Sequence, residues 1–84
     1  MGQPTTKAEI TRAIENNYRH IQNVQNWLAT AQSRLANERA RDAKYRNKSY
    51  MASVQSDIAR YKAQISKTKA EISALKARLK QAKE

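Results

Sequence analysis

The chain of 84 residues has no cysteine and no phenylalanine, and its one glycine and one proline both fall within the first four positions. The missing cysteine excludes disulfides, thiol nucleophiles and thiolate metal sites. Without glycine or proline after Pro4, nothing punctuates the remaining chain into sheets or long loops, so the composition points to helix throughout. Acidic residues are also scarce, seven against 17 Lys and Arg, which leaves a formal net charge of +10. No apolar run approaches the ~18 residues that span a bilayer, and no secretory leader pattern is present. A cytoplasmic protein is therefore expected, and membrane partnership is not.

What is there in strength is periodicity. Thr6 followed by Glu9 is a capping box: the threonine hydroxyl accepts from the Glu9 amide while the glutamate reaches back. From there Ile10, Ile14, Asn17, Ile21, Val24, Leu28, Ala31 and Leu35 alternate steps of four and three, the a/d pattern of a coiled coil. Continued, the same frame meets Glu38, Asp42, Tyr45 and Ser49 and loses its apolar character. A second seam follows: Met51, Val54, Ile58, Tyr61, Ile65, Thr68, Ile72, Leu75, Leu79 and Ala82.

The two seams are out of phase by two residues, which neither a three- nor a four-residue irregularity of a continuous coiled coil produces. This predicts an all-α fold: an antiparallel two-helix coiled-coil hairpin, against the rival of one long helix in a parallel dimer. The expected divisions are a flexible N-terminus at 1–5, a first helix at 6–46, a turn at 47–49 and a second helix at 50–84, forming one domain. Two registers fit. The favoured one sets Leu35 level with Tyr61, Leu28 with Thr68, Val24 with Ile72 and Ile21 with Leu75. It turns at Asn47-Lys48-Ser49, where Asn47 tolerates a left-handed conformation and Ser49 caps the next helix. The other sets Leu28 level with Tyr61 and Ile10 with Leu79, releasing Glu38 and Asp42 from the seam.

A two-helix seam is narrow, and the first helix widens its apolar side with Ala13, His20 and Trp27 at g positions and Tyr18 at an e position. Tyr18, His20 and Trp27 are accordingly the candidate partner or dimer interface, with dimerisation into a four-helix bundle expected. Asn17 at a d position would then help set orientation.

No catalytic constellation is present. The acidic residues are scattered, His20 has no spaced nucleophile, and no glycine-rich loop exists. The expectation is a protein that is not an enzyme and takes no cofactor and no metal. The charge has two concentrations. One is the stretch between the seams: Arg39, Arg41, Lys44, Arg46 and Lys48, with Tyr45 and Tyr50 available to stack. The other is a lysine stripe, Lys62, Lys69, Lys76 and Lys83, repeating every seven residues at e positions of the second helix. Both suit an acidic partner or nucleic acid, while a solvated surface accounts for them equally well. The back of the second helix is a row of Ala and Ser that permits a further helix to approach.

In architecture, such a chain resembles the small basic helical hairpins found among host-interaction proteins of phages and mobile elements, and coiled-coil arms that touch RNA. The functional expectation is a helical-hairpin interaction protein, an adaptor or inhibitor that docks on a partner protein. The alternative is a nucleic-acid-binding hairpin that uses its basic tip and second helix.

Overall fold

A computed structural model describes residues 6–82. Two α-helices, α1 (Lys7–Arg39) and α2 (Lys48–Gln81), lie antiparallel and are joined by a link holding one 3-10 turn at Ala43–Tyr45. At 1.5 Å per residue each helix is about 50 Å long, and the molecule measures 63 × 20 × 15 Å. No strand occurs among the described residues. The chain is an all-α helical hairpin. The expected flexible segment 1–5 and the last two residues lie outside the described range.

The α1 start matches its sequence signal. Thr6 Oγ1 accepts from the Glu9 amide at 3.1 Å, and Glu9 Oε1 accepts from the Thr6 amide at 3.2 Å. Two donors that the first turn cannot satisfy internally are thereby paired. Along the seam, Ile10, Ile14, Ile21 and Val24 of α1 pack with Ile65 and Ile72 of α2, and Leu28, Tyr61, Leu75 and Leu79 border them. Nearer the link, Ala31 and Leu35 pack with Val54, flanked by Met51, Ile58 and Tyr61. Val24 is fully enclosed, with 0% of its surface exposed.

The register is the one that was not favoured. The Trp27 ring lies against Tyr61 with centroids 6.1 Å apart. Ala31 and Arg34 share a cleft with Val54 and Asp57, and Asn17 and His20 share another with Thr68 and Glu71. These neighbours set Leu28 level with Tyr61 and Ile10 toward Leu79. In the favoured register Leu28 would sit level with Thr68, roughly 10 Å further along α2.

The link differs from expectation with it. α1 ends at Arg39 rather than at 46, and the chain crosses through 40–47 rather than turning at 47–49. Past Glu38 the α1 frame offers no aliphatic seam position, so continuing the helix gains little burial to offset the ordering entropy. No described residue has positive φ. Asn47 is therefore not a left-handed turn residue. It is the N-cap of α2 in extended conformation, φ −92 and ψ 100, and its side chain accepts from the Tyr50 amide at 2.9 Å. Ser49, expected to cap α2, lies inside its first turn.

Glu38 is not released from the seam either. It is buried, with 7% exposure. Its Oε2 accepts the Asn47 backbone N–H at 2.8 Å, and its Oε1 lies 3.8 Å from Arg41 Nε.

Candidate functional site

The heptad positions beside the seam form two long edges, and the structure distributes the candidate residues between them. On one edge the g positions of α1 meet the g positions of α2. Here Trp27 is half exposed, at 50%, while its ring tilts 51° against Tyr61. The ring borders a cleft of about 180 Å³ whose other walls are Thr30, Ala31, Arg34, Val54, Asp57 and Tyr61. Asp57 is ion-paired with Arg60 on its own helix, at i,i+3 spacing, and the Arg60 guanidinium lies 6.0 Å from the Tyr61 ring centre. One helical repeat further from the link, His20 is exposed in a second shallow cleft with Asn17, Gln64, Lys67, Thr68 and Glu71.

Tyr18, grouped with His20 and Trp27 from the sequence, lies on the opposite edge. There the Lys76 ammonium sits 5.3 Å from its ring centre, within cation–π range. The e positions of α1 face the e positions of α2 on this side, so Lys62, Lys69 and Lys76 share the edge with Tyr18, and all are exposed. Trp27 and His20 belong together, and Tyr18 does not join them.

The basic tip is held by its own contacts. Arg39, Arg41, Lys44, Arg46 and Lys48 are all exposed around the link. Arg46 Nε donates to the Arg41 carbonyl at 2.8 Å, the Tyr45 amide donates to the Asp42 carbonyl at 2.9 Å, and Lys44 Nζ lies 5.0 Å from the Tyr45 ring centre. Tyr45 is the most open aromatic, at 63% exposure. The tip is thus a projecting surface of five cations and one exposed acid, Asp42, with Glu38 turned inward behind it.

Two contributors were not singled out from the sequence. Tyr61 reads only as a seam residue, yet its ring is the platform under Trp27. Glu38 reads as a defect in the seam. Its signal was the lack of a Glu or Gln at Tyr50, the third position of α2, which leaves the Asn47 amide to be paired from elsewhere.

Chemically, these surfaces present aromatic rings, amides and cations. No grouping of three or more His, Asp or Glu among the described residues can hold a metal ion. No helix among them is long and apolar enough to cross a membrane. Both clefts are open grooves between two helices. Comparison with known proteins finds no matching family model, no matching curated protein and no matching solved structure.

Proposed function

We propose that this hairpin is a non-enzymatic interaction protein, an adaptor or inhibitor in mode, which docks on protein through the Trp27 edge and takes a second copy of itself as its first partner. The observation that carries this reading is the position of Trp27: a half-exposed indole, tilted against Tyr61, at the rim of an open cleft. Tryptophan in such a setting is the residue type that concentrates interface energy.

Two further features support it. The chain exposes 6460 Å², whereas a compact monomer of its 9.6 kDa mass exposes about 5,100 Å². The excess, about 1,400 Å², belongs to an elongated shape and is more than the roughly 800 Å² that one partner buries in a standard interface. The edge also carries both Arg34 and Asp57 beside the ring. A two-fold interface brings the same patch onto itself, and a patch holding both signs of charge can then set cation against anion. Two hairpins joined in this way make a four-helix bundle.

The test uses the single tryptophan as its own reporter. Sedimentation equilibrium should give a dimer at micromolar concentration, and Trp27 emission should shift to the red on dilution. Trp27→Ala should sediment as a monomer while retaining the helical circular dichroism spectrum. A wild-type monomer whose emission is independent of concentration would exclude the dimer. Unchanged dimerisation of the variant would remove Trp27 from it.

A further inference from the structure

The edge opposite Trp27 has a different chemistry. On α2 it presents Lys62, Lys69 and Lys76, seven residues apart and therefore about 10.5 Å from one ammonium-bearing position to the next. On α1 it presents Tyr18, Gln25 and Gln32, which the antiparallel register staggers between the lysines. All six side chains are exposed. Arg39 and Lys48 continue the row into the basic tip. Among the described residues, no acid occupies an e position here. Asp57 and Glu71 lie on the Trp27 side, Glu38 is buried, Glu15 stands further round α1 toward the open end, and Asp42 is the one exposed acid among the five cations of the tip. The Lys76 head rests on an aromatic ring, which leaves its charge available.

We propose that this edge, from Lys76 to the tip, binds the phosphate backbone of single-stranded nucleic acid. The row combines evenly spaced cations with uncharged amides that donate to phosphate oxygens or base edges. An acidic helix is the poorer match, because helix docking needs apolar knobs and holes and this edge exposes no Leu, Ile or Val. A duplex is poorer for a geometric reason. From Lys48 to Lys76 the edge runs straight for about 42 Å, longer than one turn of B-DNA at roughly 34–36 Å. A duplex strand therefore winds away from a straight row, whereas a flexible single strand follows it. The site does not depend on the Trp27 edge, which faces the other way.

The experiment measures binding of a mixed-sequence single-stranded oligonucleotide to the full chain by fluorescence anisotropy across a salt series. Wild type should bind at low salt, with a steep linear fall of log affinity against log salt. The triple variant Lys62→Gln, Lys69→Gln, Lys76→Gln should bind at least tenfold more weakly. Its salt slope should be smaller by about 2, since each neutralised phosphate contributes ~0.7 on a single strand. A control of equal charge, Arg12→Gln, Arg19→Gln, Lys67→Gln, removes cations away from the edge and should change the slope by less than half as much.

Chemical-shift mapping on the wild-type protein needs no variant, and its largest shifts should fall on the Tyr18–Lys76 edge and the tip. The assignment is overturned if low-salt binding is absent or if the two triple variants lose affinity equally. It is also overturned if polyglutamate of matched charge competes as well as the oligonucleotide, or if the shifts map to the Trp27 edge.

Discussion

Glu38, in the last turn of α1, accepts the backbone N–H of Asn47, the N-cap of α2, at 2.8 Å. Within one helix that N–H is normally paired by a Glu or Gln at the third helical position. In α2 the third position is Tyr50, which donates its amide to the Asn47 side chain and cannot reach back. The preceding helix supplies the missing carboxylate instead. Glu38 thereby completes a capping box across the link and places negative charge at the N-terminus of α2, where the helix dipole favours it.

Removing that carboxylate should cost more than an ordinary surface substitution. Glu38→Ala removes a charge-assisted hydrogen bond to the Asn47 amide at a part-buried site, and should lower unfolding free energy by about 1–3 kcal/mol in urea titrations. Glu38→Gln keeps an acceptor oxygen and should lose less. If both variants match wild type, Glu38 does not hold the link.

The two N-caps should differ in consequence. Substituting alanine at Asn47 should cost roughly 1 kcal/mol and loosen the start of α2 together with the Glu38 contact. Thr6→Ala removes a cap of the same kind at the open end, where fraying is local. Hydrogen exchange should show faster amides on both sides of the link in the first variant, and only in the first turns of α1 in the second.

The register can be read by cross-linking, helped by a chain that holds no native cysteine. A Val24→Cys, Ile65→Cys pair lies level across the seam and should oxidise readily. A Val24→Cys, Ile72→Cys pair is offset by about two helical turns, roughly 10 Å, beyond the Cα separation of about 7 Å that a disulfide tolerates. Faster oxidation of the second pair would establish the other register.

Core truncation should separate the seam from its edge. Ile21→Ala, at a buried position, should cost about 2–5 kcal/mol. Trp27→Ala should cost the monomer less, because half the indole is already exposed. Its loss of the Tyr61 ring contact accounts for about 0.5–1.5 kcal/mol. Thermal melts at a dilution where only monomer remains make the comparison. Equal losses would place Trp27 in the core.

The hairpin itself was legible because periodicity is a property of the sequence. Ile10 through Leu35 and Met51 through Ala82 each mark one apolar stripe, and a two-residue phase difference is not one that the usual irregularities of a continuous coiled coil produce. Thr6 and Glu9 announced the start of α1 for the same reason, since a capping box is local. The mixed set Tyr18, His20 and Trp27 was less legible. All three flank the seam on a helical projection, and which flank each occupies matters only once a second helix divides them.

The residues alone determined that two amphipathic helices fold back on each other, with strong positive charge and little acid to balance it. Tertiary structure decided the register, the length of the link and the role of Glu38. Several alignments of two apolar stripes bury similar area, so the seam by itself does not choose among them. Contacts between the two helices accompany the one adopted: Trp27 on Tyr61 along the edge, and the Glu38 carboxylate on the Asn47 amide across the link. Neither relationship has a periodic signature, because each depends on where the other helix already lies.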